Sequence, residues 1–186
     1  MTKATNTQNR VEVRDFVALD KEQERLRKEF KSLGRNYYYK RSADTFEPDE
    51  NNYSLEEASI TLACANSDIN LVILVKQDIS KLWSDTSQAP YTDIFNSKVD
   101  TLQILRQIEI KRELEKLNKD LLDSLDSKIK QDILKYGNLF VIHAIFKQVN
   151  HQIYDVSYSE DKFKEYKSIQ LPEILTKTLD LSEYFI

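Results

Sequence analysis

The chain has 186 residues, 31% charged and 40% hydrophobic, which is enough apolar material for one domain of ordinary size. Its 27 Lys and Arg against 31 Asp and Glu give a net charge of −4, which argues against nucleic-acid binding by the whole surface but not by a local basic patch. Two Gly and three Pro disfavour sandwiches, barrels and glycine-rich nucleotide folds, and one Cys excludes an internal disulfide or a Cys-based zinc cluster.

Charge is unevenly distributed along what we predict to be a single helical domain over residues 1–186. Residues 1–41 carry an excess of basic side chains and form a basic entry segment and helix. Residues 42–100 carry an excess of acidic side chains and form an acidic loop and helices. Residues 101–186 are nearly balanced and hold a long central helix and the carboxy-terminal helices.

The first predicted helix follows Asp20. Asp20 and Gln23 have the spacing of a capping box, and Gly34 ends the run. Between them, apolar residues recur at helical intervals, beginning one position before the cap: Leu19, Leu26, Phe30 and Leu33. Residues 36–41, which are aromatic and basic, are predicted to be extended, and the acidic residues 42–53 to be an exposed loop.

Further helices follow from the same signals. Ser54 and Glu57 form a second capping box, and Asp68 can cap a helix that continues through Trp83, although residues 69–75 are also β-branched enough for a strand. A long helix is expected from about Ser97, with its first half in the core. A further amphipathic stretch holds Ile129, Ile133 and Leu134, and Gly137 then introduces the apolar segment 139–146. Residues 162–186 can form one more helix or two short ones. The fold class is therefore all-α, an irregular bundle of about six to eight helices, with a short strand or hairpin near Tyr37 to Tyr39.

Catalytic and metal-binding patterns are weak. His143 and His151 lie eight positions apart, about 12 Å along a helix, which is too far for both to bind one metal ion. Cys64 lies among small apolar residues and is expected to pack as one of them. A nuclease-like Pro48-Asp49 and Glu109-x-Lys111 pair is present, but residues 109–111 fall in a predicted helix. We predict no catalytic residue, no metal and no cofactor.

Two strings could bind a ligand. The first combines Arg35, Lys40 and Arg41, which could meet phosphates, with Tyr37 and Tyr39, which could stack on bases. The alternative is that these tyrosine rings pack into the core.

The second string lies near the amino terminus and is rich in side-chain amides. Asn6, Gln8 and Asn9 offer hydrogen-bond donors and acceptors together, and Arg10 and Arg14 follow them. Such a set can read a base, a ribose or a peptide backbone, and it can equally be a polar terminus.

Several short sequence strings, taken in order along the chain, resemble the sequences of one bacterial family. Residues 4–20, 23–26, 37–41 and 81–83 are similar to proteins of the abortive infection phage resistance (AIPR) family, up to about Leu105 and fading beyond Lys111. The resemblance implies a role in phage defence. Family members are usually longer, with the amide string deep inside them, so it also implies that this chain corresponds to their carboxy-terminal portion and that Asn6, Gln8 and Asn9 form half of a site oriented by Arg10 and Arg14.

Function is expected to be non-catalytic. The leading interpretation is a helical interaction module that binds a protein partner, a second copy of itself, or nucleic acid; residues 44–57 or the exposed side of residues 114–125 would face a protein. One alternative is a fragment of a defence enzyme whose nuclease-like or nucleotide-handling region lies upstream, and another is a purely structural domain. Residues 71–75 are the longest aliphatic run, far short of the ~20 residues that span a bilayer, so we expect no membrane contact and a cytoplasmic location.

Overall fold

Helices make up most of the structure, a computed structural model that describes residues 17–40, 47 and 49–183. The helices are α1 (Lys21–Ser32), α2 (Leu55–Ala65), α3 (Ile69–Asp78), α4 (Tyr91–Ile94), α5 (Thr101–Leu122), α6 (Lys128–Tyr136), α7 (Asn138–Phe146), α8 (Glu160–Glu165) and α9 (Leu171–Glu183). Short 3₁₀ turns cover Ile79–Trp83 and His151–Tyr154, and a π-helical segment, Tyr166–Gln170, joins α8 to α9. Because that junction is continuous, the described residues form eight helices, within the predicted range of six to eight.

Side-chain caps explain where several helices begin. Ser54 and Glu57 form the predicted capping box at the start of α2. Asp68 accepts a hydrogen bond from the Asn70 backbone, which favours the helical alternative for α3. Asp100 caps α5, which therefore begins at Thr101 and not at Ser97, because its carboxylate accepts from the Gln103 backbone.

The predicted capping box at Asp20 is only half correct. Asp20 accepts a hydrogen bond from the Glu22 backbone and caps α1. Gln23 does not complete the box, because its side chain is fully buried and contacts Tyr37 and Tyr91 instead.

The predicted strand at the tyrosines pairs in parallel, not as a hairpin. Strand β1 (Asn36–Tyr38) lies beside β2 (Asn52–Ser54), with Tyr37 opposite Tyr53. The prediction that residues 42–53 are wholly an exposed loop was wrong at its end, since Tyr53 is fully buried. Its ring packs against Phe30, with 5.4 Å between centroids, and the Arg112 guanidinium lies 4.6 Å from its centroid.

Helix α5 is central because it contributes to two hydrophobic clusters. Ile104 and Ile108 join the cluster formed with α1, the two strands and α2. Ile110 and Leu114 join the cluster formed with α6, α7 and α9. The first half of α5 thus lies in the core, as predicted.

Two arginines of α5 tie loops to this central helix. Arg106 is 2% exposed and donates to the backbone oxygens of Ile153, Asp155 and Tyr158, at 2.6, 2.9 and 2.8 Å. Arg112 forms a two-point ion pair with Glu57, at 2.8 and 2.9 Å, and also donates to the backbone oxygens of Asp49, before β2, and Asn52, its first residue. Within the described part of the chain, no helix has the length and apolar character needed to cross a bilayer.

Candidate nucleic-acid interface

A groove between α1 and β1 brings most of the predicted basic and aromatic string together. Gly34 ends α1 with a φ of +72°, a left-handed conformation that glycine adopts without strain, and the chain then turns back along α1 as β1. The groove has a volume of about 410 Å³. It is lined by Arg27, Lys31, Arg35, Asn36, Tyr37, Tyr38, Tyr39 and Lys40.

The three tyrosines of the string do not play the same part. Tyr37 and Tyr39 are 5% and 2% exposed, and their rings stack on one another at 6.1 Å between centroids. Phe30 also stacks on Tyr37, at 5.0 Å between ring centroids. Since a strand alternates its side chains between two faces, Tyr38 lies on the opposite face and is only half-buried. Burial therefore favours the alternative that the rings of Tyr37 and Tyr39 pack into the core, and it leaves Tyr38 as the most exposed of the three tyrosines.

The cations around the groove differ in how far they are already engaged. Lys31 and Lys40 are exposed, and the Lys40 ammonium lies 5.4 Å from the Tyr39 ring centroid. Arg35 donates through Nη1 to the Asn51 side chain at 2.9 Å, while its buried Nε has no hydrogen-bond partner in the described part of the chain. Arg27 is held by two bonds to Glu24, at 2.9 and 2.7 Å. Lys31, Lys40 and Arg35 are thus the cations most available to an anion.

Glu24 is the acidic side chain that pairs with Arg27 of the groove. The bonds from Arg27 and the Tyr39 hydroxyl, which donates at 2.7 Å, lower the pKa of Glu24 to about 2. Burial, reinforced by the bond to Glu24, raises the pKa of Tyr39 to about 12. Glu24 therefore stays ionised at neutral pH and keeps Arg27 and Tyr39 in position.

This arrangement predicts a loss of stability in acid. Because the pKa of Glu24 is about 2 in the folded chain and near 4.5 in an unfolded one, its contribution is complete above pH 4.5 and is lost as the pH falls toward 2. We expect urea midpoints measured across this range to fall less steeply for Glu24→Gln than for the unchanged chain. Glu56→Gln, a change at an exposed position of α2, is the control. Equal slopes for Glu24→Gln and the unchanged chain would contradict the prediction.

A buried hydrogen-bond chain fixes the groove to the rest of the molecule. The Tyr37 hydroxyl donates to Gln23 Oε1 at 2.7 Å, and Gln23 Nε2 donates to the Tyr91 hydroxyl at 2.9 Å. The Tyr91 hydroxyl in turn donates to Asp20. Strand β1, α1 and α4 are therefore joined by polar contacts that hold Tyr37 in the core.

A family comparison identifies the chain. A family model described as AIPR protein matches residues 1–183. The chain belongs to the AIPR family. The match continues well past Lys111, where the resemblance in the sequence strings faded. No curated protein and no solved structure matches the AIPR chain. Membership associates it with phage defence by abortive infection.

Six of the predicted site residues lie outside the described part of the AIPR chain. They are the amide-string residues Asn6, Gln8, Asn9, Arg10 and Arg14, together with Arg41 at the end of the tyrosine string. The structure brings Arg35, Tyr37, Tyr39 and Lys40 together at the groove, and adds four residues that the sequence prediction did not select: Arg27, Lys31, Asn36 and Tyr38. Helical spacing could have found two of them, because Arg27 and Lys31 are separated by one turn of α1.

The two surfaces that were predicted to bind a protein partner are only partly exposed in the structure. Within residues 44–57, Glu47, Asp49, Glu50 and Glu56 are exposed, whereas Tyr53 is buried. In the second half of α5, Leu114 is buried, and the following leucines pack against the carboxy-terminal hydrophobic cluster. The exposed side of that helix is therefore charged, with residues such as Lys116 and Lys119.

The three charged residues of the nuclease-like pattern, Asp49, Glu109 and Lys111, each bind a different partner within the protein. Asp49 accepts hydrogen bonds from the Asn51 and Asn52 backbone, at 2.7 Å each. Glu109 accepts from Lys167 at 2.5 Å, and Lys111 is buried and pairs with Glu115 at 2.7 Å. Across the described residues, no group of three or more His, Cys, Asp and Glu side chains could hold a metal ion.

The two histidines and the cysteine of the AIPR chain lie apart from the groove, as buried residues or at a turn. His143 Nδ1 lies 2.8 Å from the Cys64 carbonyl oxygen, which can only accept, so Nδ1 carries the proton. His151 is exposed at a 3₁₀ turn. Cys64 is fully buried, and burial raises the pKa of its thiol to about 12.

The raised thiol pKa predicts an unreactive cysteine. At pH 8, a disulfide reagent that forms a coloured thiolate is expected to modify native Cys64 about 100-fold more slowly than the same residue in urea, because thiolate is scarce and access is blocked. Similar rates in the folded and the unfolded chain would contradict this expectation.

Proposed function

We propose that this AIPR chain acts in phage defence as a non-catalytic module that binds single-stranded nucleic acid in the groove between α1 and β1. The observation that carries the proposal is the placement of Lys31, Arg35 and Lys40 around the half-buried Tyr38 in one groove. Cations that follow a phosphate backbone, combined with an aromatic ring that can meet a base, are the features that single-strand binders share.

Single strands suit this groove better than duplexes. A base must leave its stack to reach Tyr38, and only unpaired bases do so without the cost of opening a duplex. Lys31, Arg35 and Lys40 lie in one small groove of a chain whose net charge is −4, which supports a short, local contact with a phosphate backbone. The role expected of Tyr37 and Tyr39 in stacking passes to Tyr38, while those two rings support the strand from the core.

The proposal predicts salt-sensitive binding that depends on the groove. Fluorescence polarisation of labelled single-stranded and duplex oligonucleotides, measured across a salt series, should show tighter binding of the single strand. The double variant Lys31→Ala/Lys40→Ala should weaken single-strand binding at least about tenfold at low salt and reduce the salt slope by about 1.4, since each phosphate contact contributes about 0.7. Tyr38→Ala should weaken binding with little change in that slope.

A matched pair of lysines provides the control. Lys116 and Lys119 are exposed on α5, away from the groove, and Lys116→Ala/Lys119→Ala removes the same charge. We expect this variant to bind like the unchanged chain. No binding at low salt, or equal losses in both double variants, would reject the groove as a nucleic-acid site and favour a protein partner.

A further inference from the structure

A second cleft adjoins the α1–β1 groove at the amino-terminal half of α1. Its volume is about 690 Å³, and residues 18–21, around the start of α1, belong to its lining. Arg27, Tyr39 and Lys40 line both the second cleft and the groove, so the two openings meet at these three side chains. A chain molecule that leaves the groove past Lys40 therefore enters the second cleft along the protein surface.

Helix geometry places three exposed lysines of α1 in one row. Lys21, Lys28 and Lys31 follow one another at intervals of seven and three residues, so they lie on the same face of the helix. At about 1.5 Å of rise per residue, the row from Lys31 to Lys21 is about 15 Å long. Lys31 lines the groove, whereas Lys21 and Lys28 line the second cleft. The row therefore connects the two openings.

The two carboxylates of the second cleft, Asp20 and Glu24, already have partners. Asp20 caps α1 by accepting a hydrogen bond from the Glu22 backbone. Glu24 accepts two hydrogen bonds from Arg27, at 2.9 and 2.7 Å, and a third from the Tyr39 hydroxyl at 2.7 Å. Little of their charge is therefore left to neutralise the lysines beside them.

Three lysines of the second cleft, Lys21, Lys28 and Lys40, are exposed. Lys21 has no ion-pair partner among the described residues. The Lys28 ammonium lies 3.8 Å from the Glu24 carboxylate, a loose ion pair, and its side chain is 70% exposed. Their ammonium groups are therefore available to an anion.

The second cleft offers these charges without a ring on which a base could stack. Tyr39 is the aromatic residue of its lining and is 2% exposed, and Tyr38 lines the groove but not the second cleft. The second cleft therefore suits phosphates, whereas the groove suits phosphates and a base.

We infer that the single strand bound in the α1–β1 groove continues along α1 into the second cleft, where Lys21 and Lys28 hold its phosphates without contacting its bases. A stacked strand has one phosphate per about 3.4 Å, so a row of about 15 Å meets about four more nucleotides. The ligand is thus a strand several nucleotides longer than the groove alone would hold. This inference rests on the proposed function, because it extends the same binding site.

The test uses fluorescein-labelled oligothymidylates of about four and about ten nucleotides, the first filling the groove and the second long enough to reach the second cleft. Fluorescence polarisation should show the longer probe binding at least about tenfold more tightly at low salt. Lys21→Ala/Lys28→Ala should weaken the longer probe at least about fivefold and reduce its salt slope by about 1.4, while leaving the shorter probe unchanged. A short probe extended to the longer length with abasic nucleotides should bind like the longer one, since only its phosphates reach the second cleft.

The control variants separate the two claims. Lys31→Ala/Lys40→Ala should weaken both probes, and Lys116→Ala/Lys119→Ala, which removes the same charge outside both openings, should weaken neither. The inference is overturned, with the groove retained, if Lys21→Ala/Lys28→Ala binds the longer probe like the unchanged chain or if the abasic extension adds no affinity. If neither probe binds at low salt, the proposed function fails and the inference fails with it.

Discussion

Replacing Arg106 by methionine is expected to lower the free energy of unfolding by about 2–4 kcal/mol, because three backbone oxygens lose a charged donor. Arg106 is almost completely buried, and its guanidinium meets four oxygens across the loop that follows α7. These oxygens belong to the backbone of Ile153, Asp155 and Tyr158 and to the side chain of Glu160, which pairs with it at 3.0 Å. Methionine fills much of the same volume but donates no hydrogen bond, so the carbonyls of Ile153, Asp155 and Tyr158 lose their charged donor.

Urea unfolding followed by circular dichroism measures this loss directly. In a domain of this size, a change of that magnitude lowers the melting temperature by roughly 10 °C, at about 2–4 °C per kcal/mol. Lys119→Met places the same side chain on an exposed position of the same helix and should change stability by less than about 0.5 kcal/mol. A loss below about 1 kcal/mol for Arg106→Met would show that the loop does not depend on this arginine.

The parts of this fold that the sequence predicts are those set by neighbours in the chain. The capping box at Ser54 joins residues three positions apart, and the cap of Asp68 reaches two positions. Such contacts depend only on local geometry, so they settle the start of α2 and favour helix over strand for α3. The amphipathic spacing that predicts α1 is equally local.

The contacts that sequence reasoning missed join distant residues. Gln23 reaches Tyr91 across 68 positions, and Arg106 reaches carbonyls about 50 positions away. The parallel pairing of β1 with β2 also joins distant residues. It could not be predicted, because a strand of three residues is too short for its sequence pattern to indicate which strand it pairs with. Nothing in the chain near Gln23 or Arg106 distinguishes these buried side chains from surface ones.

The sequence shows which residue types lie near the candidate site, but not which of the tyrosine side chains face the core. A basic and aromatic string between residues 35 and 41 is visible in the sequence, and alternation in a strand separates Tyr38 from its two neighbours. Which face turns inward depends on Phe30 and Gln23 of α1, since these residues receive the ring and the hydroxyl of Tyr37. The packing of β1 on α1 therefore decides which tyrosine a ligand can meet.

That packing leads to the second large prediction. Phe30→Ala is expected to lower the free energy of unfolding by about 3–5 kcal/mol, because the ring is fully buried and its removal leaves a cavity. Phe30 stacks on Tyr37 at 5.0 Å and packs on Tyr53 at 5.4 Å, so the cavity opens where α1, β1 and β2 meet. Phe30→Leu keeps most of the volume and should cost clearly less.

Comparing Phe30→Ala with Tyr38→Ala distinguishes a residue that stabilises the groove from a residue that contacts the ligand. Tyr38 is half-buried on the opposite face of β1, so its truncation should cost less stability than that of Phe30 while weakening single-strand binding. Thermal unfolding and fluorescence polarisation on the same samples provide both measurements. If Tyr38→Ala destabilises the chain as much as Phe30→Ala, then Tyr38 is a core residue like its neighbours, and the aromatic part of the proposed interface is lost with it.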